Sequence, residues 1–301
     1  MPRRRLDREA SLTAQTCALE RAAESLQPPH RRLLDDPDSA LFAGRYGPLL
    51  ARPVIARTWL RALDSYLPGL HLYIVLRVRY TDDVLQQAIS AGIDQVVLLG
   101  AGFDTTSLRA ATMACGPVIF EVDAPTTQQE KRRLLECANR AVGSQVHWVP
   151  CDFEHDRLTE RLVQAGFDPT RPCVVVWIGV SVYLTRPAID QTLADLAEIC
   201  APGSRLVTDF GDPETVTGKH RLAGARRTAR LVRRRGEPWL TALSLPEVTC
   251  AAEDAGFVVR DHARTTDLAE RYAPNGQPWC STDDWLGVLT AERVPSETDR
   301  D

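Results

Sequence analysis

The stretch "QVVLLGAGFDTTSLR" (residues 95–109) joins an apolar run to a segment of helical character through two glycines, Gly100 and Gly102. Glycine at such a junction allows the backbone to turn sharply and allows a ligand to lie directly against the peptide. The first turn of the helix that follows offers unpaired N–H groups. The stretch therefore predicts a strand–turn–helix unit whose turn faces a ligand, although a tight turn alone could also explain the glycines.

Short apolar runs alternate with helical segments along the chain after this unit. The predicted strands are "QVVLLG", "PVIFEVD", "VHWVP", "CVVVWIGV", "SRLVTDFGD", "GFVVRDHA" and "WLGVLTAERV". Continuous β-branched runs between helices indicate a parallel sheet covered on both faces. The sequence therefore predicts an α/β fold with a doubly wound, mostly parallel, seven-stranded Rossmann-like sheet.

The remaining segments predict helices around this sheet. The segment "YTDDVLQQAISAG" is typical of a helix with Thr81 or Asp82 near its N-cap and Gly92 after its end. We interpret the chain as a single domain, residues 1–301. It would comprise a helical N-terminal extension (1–75), a ligand-binding core (76–211), and a last part (212–301) with a helical cap inserted near 212–240.

The composition of the chain argues against several classes of function. The 301 residues are 44% hydrophobic and 25% charged, with a net charge of −4, which is typical of a globular protein without a field that attracts nucleic acid or anionic membrane. No apolar run approaches the roughly 18 residues of a membrane span, and "MPRRRLDREAS" lacks the apolar core of a signal peptide. We therefore expect a cytoplasmic protein with neither a membrane nor a nucleic acid as partner.

The eight cysteines indicate neither a metal site nor a disulfide framework. They form no C-x-x-C pair and no Cys/His cluster with zinc spacing. Cys115, Cys173 and Cys200 lie in apolar surroundings, where we expect small buried side chains.

Two acids at the ends of predicted strands favour an adenosine ligand. Asp123 ends "FEVD", 23 positions after Gly100, where a carboxylate can accept hydrogen bonds from both ribose hydroxyls. Asp152 in "PCDF" ends the next strand, where an adenine amino group would lie. Phe153 beside it offers an apolar face to the ring.

The glycine turn favours S-adenosyl-L-methionine over NAD. A pyrophosphate cofactor usually requires a third glycine, but Thr105 holds that position and Asp104 precedes it. The Asp104 carboxylate would repel a pyrophosphate by roughly 4 kcal/mol at about 4 Å and an effective dielectric constant of about 20. It would tolerate a zwitterion that carries a sulfonium charge.

Several motifs in order resemble one known family. They are "RVRYTDD", "VVLLGAGFDT", "VIFEVDAPTTQQEKRRLL", "VPCDF", "AGFDPTRP" and "VSVYLT". The chain resembles the leucine carboxyl methyltransferase-like family of class I methyltransferases over nearly its whole length. It is most similar to the bacterial small-molecule O-methyltransferases, which include polyketide carboxyl methyltransferases. The resemblance implies a class I methyltransferase sheet, S-adenosyl-L-methionine as cofactor, and a carboxyl or hydroxyl acceptor on a small product of secondary metabolism.

The resemblance also implies roles for single residues. Arg77 would pair with the carboxylate of the cofactor, because a guanidinium can hold both oxygens, and Arg79 is a second candidate. The other residues that would contact the cofactor are Gly100, Ala101, Gly102, Asp104, Asp123, Asp152, Phe153 and Ile178.

One position departs from the family pattern. Ile178-Gly179 stands where the family has Glu-Gly, and that glutamate helps to hold the ammonium group of the cofactor. Isoleucine cannot accept a hydrogen bond. Either a backbone carbonyl or Asp104 accepts from the ammonium group instead, or cofactor affinity and chemistry are altered. The alternative function is therefore a methyltransferase-like protein that binds the cofactor without transferring methyl, in a biosynthetic or partner-binding role.

Methyl transfer from a sulfonium requires alignment of the reactants more than proton transfer. A carboxylate acceptor is already ionised at neutral pH, whereas a hydroxyl gains from a base. We expect Tyr183 to line the acceptor pocket and to position the acceptor. His155 is expected on a surface loop, His147 half-buried in a strand, and Trp177 in the core, so no strong base emerges.

The segment "KHRLAGARRTARLVRRRGEPW" is the strongest charge feature. Three interpretations remain: a solvated helix, a cap that attracts an acidic acceptor, or the patch of an RNA-binding or RNA-modifying protein. The last lacks interleaved aromatic residues. The arginines near one predicted helical face are Arg226, Arg230 and Arg233, with Arg227 and Arg234 beside them. The sequence does not determine the oligomeric state, and an oligomer is possible.

Overall fold

A computed structural model describes residues 10–44, 47–110, 116–273, 275 and 277–295. Seven strands form one sheet in the order β3-β2-β1-β4-β5-β7-β6. The strands are β1 Gln95–Leu99, β2 Val118–Asp123, β3 Val146–Pro150, β4 Cys173–Trp177, β5 Arg205–Gly211, β6 Phe257–Arg264 and β7 Leu286–Arg293. Strands β1 to β5 run parallel to one another, and β7 runs antiparallel between β5 and β6. The predicted doubly wound, mostly parallel sheet is confirmed.

Helices cover both faces of this sheet. Side chains of β1 alternate between two buried clusters: Val97 and Leu99 point into one, and Val96 and Leu98 into the other. Burial on both faces explains why this run is continuously apolar. The helices are α1 Leu12–Ser25, α2 Gly47–Leu50, α3 Pro53–Tyr66, α4 Leu70–Ser90, α5 Thr106–Ala110, α6 Pro125–Cys137, α7 Leu158–Gln164, α8 Arg186–Ile199, α9 Glu214–Thr217, α10 Ala223–Arg234, α11 Leu245–Asp254 and α12 Thr265–Tyr272.

The strand order reverses between β1 and β4, and this point positions the site. Strand β1 pairs with β2 on one side and with β4 on the other, so that Val97 lies between Phe120 and Val175. Connections leave the two strands toward opposite directions of the sheet, which opens a crevice at their carboxyl ends. The crevice lies between the glycine turn after β1 and the loop after β4.

The start of α4 differs from the sequence-based prediction. The helix begins at Leu70 after Gly69 and continues through Thr81, whose hydroxyl donates to the Arg77 carbonyl at 2.8 Å. The predicted N-cap at Thr81 or Asp82 is therefore wrong, and the proposed boundary after residue 75 falls inside one continuous helix. Burial of the preceding segment "HLYIVL" stabilises helix there despite its β-branched residues. The helix does end just before Gly92.

The cysteines that the structure describes carry free thiols. Cys173 and Cys200 are buried in the core, as predicted, whereas Cys115 lies outside the described residues. Within the described ranges, no three metal-binding side chains come together. None of the helices in the described part of the chain combines the length and the apolar character that crossing a bilayer requires.

Candidate functional site

The carboxyl ends of β1 to β5 open into a cavity of about 1660 Å³. Nearly all of the residues that the sequence nominated line this cavity. They are Arg77, Gly100, Ala101, Gly102, Asp104, Asp123, Asp152, Phe153, Ile178 and Tyr183. The fold thus brings together residues from four strand ends and from the middle of α4.

Arg79 is the exception among the nominated residues. Its Nη1 donates to the Leu33 carbonyl at 2.9 Å, and its guanidinium lies 5.3 Å from the centre of the Tyr272 ring. Two positions along an α-helix differ by about 200° around the axis. Arg77 and Arg79 therefore point in nearly opposite directions, and the prediction that Arg79 serves the site is wrong.

The turn after β1 requires glycine for two separate reasons. Gly100 has a φ of +64°, in the left-handed region that other residues rarely adopt. A Cβ atom at this position would also collide with the Val180 side chain. The turn therefore packs directly against the loop after β4 and presents peptide backbone to the cavity.

Asp123 closes the glycine turn from the end of β2. Its Oδ2 accepts a hydrogen bond from the Gly102 N–H at 2.5 Å, and its Oδ1 accepts one from the Ala124 N–H at 2.7 Å. Burial raises the pKa of this carboxyl to about 6. Each carboxylate oxygen can accept a second hydrogen bond, so Asp123 can still receive the hydroxyls of a sugar.

The loop after β3 forms the outer end of the cavity. Asp152 accepts hydrogen bonds from the Glu154 N–H at 3.0 Å and from His155 Nδ1 at 2.8 Å. Hydrogen bonding to Asp152 raises the pKa of the exposed His155 imidazole. Phe153 is half-buried and packs on the core. His155 thus lies on a surface loop, as predicted.

Asp104 contacts the first residue of α5, the helix that follows it. Its Oδ1 accepts a hydrogen bond from the Thr106 N–H at 2.6 Å, at the start of α5. Burial opposes ionisation, but the charges of Arg109 and Arg21 outweigh it and lower the pKa of Asp104. The carboxylate therefore stays charged beside the glycine turn.

Arg77 and Gly179 meet at the inner end of the cavity. The Arg77 guanidinium lies 5.2 Å from the centre of the Tyr73 ring. Gly179 has a φ of +74°, and a Cβ atom there would lie 2.9 Å from Arg77 Nη1, so another residue would strain the backbone and push the guanidinium away. The neighbouring Ile178 side chain packs against the buried cluster that contains Val96 and Leu98.

Sequence reasoning missed one acid of the site, Asp209 in β5. It is 6% exposed and lines the cavity. Its Oδ2 accepts hydrogen bonds from the Gly179 N–H at 2.8 Å and from the Tyr73 hydroxyl at 3.1 Å. Its Oδ1 is buried and has no hydrogen-bond partner among the described residues. An acid inside the apolar strand "RLVTDFG" was the signal that could have identified it.

An apolar arm extends from the cavity toward the N-terminal helices. Its walls come from α2, α3, the start of α4 and α10, and Leu49 is 53% exposed at its edge. Tyr183, in the turn after β4, also lines the cavity, and burial raises its pKa well above the ordinary value. The main apolar residues of the arm are Leu50, Trp59, Leu63, Leu67, Leu231 and Val232.

Helix α10 covers this arm with its apolar face. Leu231 and Val232 line the cavity, whereas Arg230 and Arg233 are exposed on the opposite face. The five arginines that the sequence analysis named in this segment do not line the cavity, so direct contact between them and an acceptor is not supported, and attraction of an acidic acceptor stays a prediction. Only Arg235, after the helix, lines the cavity among the described arginines of this segment, and it donates to Thr16 Oγ1 at 2.7 Å.

The two remaining predicted positions agree with the structure. Trp177 is 2% exposed in the core, and His147 is half-buried in β3 with its ring stacked 5.0 Å from that of Phe120. Neither residue lines the cavity, so His147 is not placed to act as a base for a ligand there.

Comparison with known sequences identifies related proteins. A model of the leucine carboxyl methyltransferase family matches residues 14–197. The proposed S-adenosyl-L-methionine-dependent methyltransferase YktD of Bacillus subtilis (strain 168) is 30% identical over 199 residues, which cover 66% of this chain and 65% of that protein. A protein of Parafrankia sp. (strain EAN1pec) with the same description, Franean1_4929, is 34% identical over 65% of this chain and 62% of its own length. Each match therefore spans just under two thirds of the relative.

Solved structures show the same fold. A proposed methyltransferase from Thermobifida fusca YX superposes with a TM-score of 0.54 at 18% identity, over 80% of this chain and 89% of that one. A DUF574 family protein from Streptomyces avermitilis MA-4680 superposes with a TM-score of 0.55 at 16% identity, over 80% of this chain and 91% of the other.

Proposed function

Because this chain belongs to the leucine carboxyl methyltransferase family, we propose that it transfers a methyl group from S-adenosyl-L-methionine to a small, mainly apolar acceptor. The acceptor atom would be an oxygen of a carboxyl or hydroxyl group. One observation carries the proposal: the polar end of the cavity, with its glycine turn and acids, is continuous with the apolar arm. A cofactor and an acceptor can therefore meet inside one enclosure.

The chemistry of the polar end suits the cofactor. The Arg77 guanidinium can hold a carboxylate through two parallel hydrogen bonds. Asp123 can accept from ribose hydroxyls, and Asp152 from an adenine amino group. Phe153 offers an apolar surface to the purine ring. Gly100, Ala101 and Gly102 line the cavity, so the backbone of this turn can contact the amino-acid tail.

The residues of the chain then have to position an acceptor rather than to activate a methyl group. When bound, S-adenosyl-L-methionine supplies a methyl group on a good leaving group. Holding the acceptor in line with it and excluding water account for most of the acceleration in such reactions. Burial keeps the Tyr183 hydroxyl protonated, so that it can donate to an acceptor oxygen. A carboxylate acceptor requires no proton removal, and we therefore prefer it over a hydroxyl.

The apolar arm suggests the class of acceptor. Leucine and tryptophan side chains dominate its walls, and burial of apolar area against them contributes about 25 cal/mol per Å². A hydrocarbon-rich acid, such as a polyketide of secondary metabolism, matches this lining better than a sugar or a nucleotide. We propose the cytoplasm as the location.

Two measurements test the proposal. S-adenosylhomocysteine should raise the melting temperature, and NAD should not. Methyl-labelled cofactor is then incubated with matched apolar acids and phenols, and the products are treated with mild alkali. A methyl ester releases labelled methanol, whereas a methyl ether does not. No thermal shift with S-adenosylhomocysteine, or no labelled product with either series, would refute the proposal.

Ile178 favours a second candidate function, cofactor binding without methyl transfer. Isoleucine at this position provides no side-chain acceptor for the cofactor's ammonium group. Under this alternative, S-adenosylhomocysteine binds but no acceptor is labelled, and Ile178→Glu should tighten binding. An unchanged dissociation constant in Ile178→Glu would remove the reason for this alternative.

A further inference from the structure

We propose that Asp209 holds the ammonium group of the cofactor's amino-acid tail, in place of a carboxylate at position 178. The inference rests on the proposed function of the cavity. It assigns a binding role to a residue of β5 that neither the glycine turn nor the acids of the neighbouring strands revealed.

The geometry of Asp209 leaves one oxygen for a ligand. Two donors of the protein, the Gly179 N–H and the Tyr73 hydroxyl, both use Oδ2. The other oxygen, Oδ1, is buried without a partner among the described residues, although the side chain lines the cavity. A buried carboxylate oxygen without a donor is unfavourable. A rotation of the carboxylate about its Cβ–Cγ bond would bring Oδ1 to a donor bound in the cavity, and that hydrogen bond would remove this cost.

Tyr73 links Asp209 to Arg77. The two residues Tyr73 and Arg77 are four positions apart in α4 and therefore lie on one face of the helix. Burial, followed by the charge of Asp209, raises the pKa of Tyr73 well above its ordinary value, so the hydroxyl remains a donor. The face of the same ring lies against the Arg77 guanidinium. Tyr73 thus positions the Asp209 carboxylate and the Arg77 guanidinium relative to each other.

The charges of this pair match those of a free amino acid. Arg77 can bind the carboxylate of the tail, and Asp209 can accept from its ammonium group, with Gly179 between them. Burial raises the pKa of Asp209, while the Arg77 charge acts in the opposite direction. An ammonium at Oδ1 would further favour the ionised carboxylate. Asp104 suits this task less well, because it already caps α5 and lies among arginines.

Binding measurements with a matched pair of ligands test the inference. The ligands are S-adenosylhomocysteine and its deaminated analogue, in which hydrogen replaces the amino group and the carboxylate remains. We expect the wild-type protein to bind S-adenosylhomocysteine about 10- to 100-fold more tightly, as for other hydrogen bonds to charged groups. Asp209→Asn keeps an acceptor for Gly179 and Tyr73 but removes the charge. This variant should lose most of the preference and bind the analogue as the wild type does.

A second variant excludes a merely structural effect. Ile178→Glu in the Asp209→Asn background supplies a carboxylate at the neighbouring position and should restore the preference for the amine. If wild-type protein binds both ligands equally, the inference is wrong, even if Asp209→Asn fails to fold. It is also wrong if Asp209→Asn retains the full preference. If the wild type binds neither ligand, the proposed function is wrong, and the inference is then wrong as well.

Discussion

Glu237, which follows α10, accepts a hydrogen bond from the backbone N–H of Leu12, the first residue of α1, at 2.8 Å. The same carboxylate accepts from the Thr13 N–H at 3.1 Å and from the Ser11 hydroxyl at 3.0 Å. A carboxylate at a helix N-terminus satisfies N–H groups that have no partner within the helix. Glu237 thus joins α1 to the segment after α10, and both line the cavity.

Glu237→Ala should therefore loosen α1. The loss of a helix cap costs about 0.5–2 kcal/mol, and the cavity loses part of its wall. We expect a lower melting temperature and faster proteolysis within residues 12–25, with weaker binding of S-adenosylhomocysteine. Glu214→Ala, on an exposed glutamate of α9, is the matched control and should behave as the wild type. Equal proteolysis of the two variants would contradict this role of Glu237.

Gly100→Ala should disrupt the turn after β1 through both backbone strain and a steric collision. We expect a drop in the free energy of unfolding of more than 1 kcal/mol and loss of S-adenosylhomocysteine binding. Gly92→Ala separates the two effects, because Gly92 also has a positive φ, +91°, but has no atom within 4 Å of an added Cβ. If both variants bind the ligand as the wild type does, the turn does not contact it.

Binding of S-adenosylhomocysteine should depend on the ionisation of Asp123. Burial raises the pKa of Asp123 to about 6, so the carboxylate that we propose as acceptor for the ribose hydroxyls is present above this pH and lost below it. We expect a constant dissociation constant above pH 7 and a rise of about tenfold per pH unit below 6. Calorimetric titrations across pH 4.5–8 measure this dependence.

Two variants assign this pH dependence to Asp123. Asp123→Asn should bind more weakly at neutral pH and show no inflection near pH 6. Asp190→Asn, on a surface ion pair with Arg186, should keep the wild-type profile. An inflection that persists in Asp123→Asn would assign the titration to another group.

The buried imidazole of His71 predicts a stability change with pH. Burial opposes its charge, but the hydrogen bonds that its ring nitrogens donate to Glu20 and Glu24, each at 3.1 Å, outweigh burial and raise the pKa of His71 to about 9. The stabilisation is therefore fully present below about pH 6.5 and is lost as the pH rises through about 9. The free energy of unfolding should fall by up to about 3 kcal/mol over this range.

Denaturant titrations at pH 6 and pH 9.5 test this prediction. His71→Gln should be less stable than the wild type at pH 6 and should show little further loss at pH 9.5. His30→Gln, on an exposed histidine, should follow the wild type at both values. A wild-type free energy of unfolding that stays constant between pH 6 and pH 9.5 would show that His71 is not charged in the folded protein.

The apolar arm predicts a chain-length dependence for the acceptor. Each buried methylene contributes about 0.8 kcal/mol, so kcat/KM for a series of straight-chain acids should rise about fourfold per methylene until the arm is filled. Leu63→Asp places a charge in the arm and should flatten this slope without changing the affinity for S-adenosylhomocysteine. Leu63→Met should keep the slope. A slope near zero in the wild type would place the acceptor elsewhere.

Local sequence patterns determined the elements of the sheet and much of the site. Runs such as "VVLL" are apolar at every position because both faces of a parallel strand are buried, so composition alone predicts a central strand. The junction at Gly100 and the acid Asp123 lie at strand ends, which is where such sheets bind ligands. These features depend on neighbours in the sequence, and they were predicted from it.

Tertiary structure decided which distant side chains meet. Whether Arg77 or Arg79 faces the cavity depends on how α4 packs, and the start of that helix depends on burial of the residues before Arg77. Asp209 reaches Tyr73 and Gly179 only because β5 pairs beside β4 and α4 lies across the ends of both strands. Contacts between residues far apart in sequence depend on strand order and packing, and no local pattern contains that information.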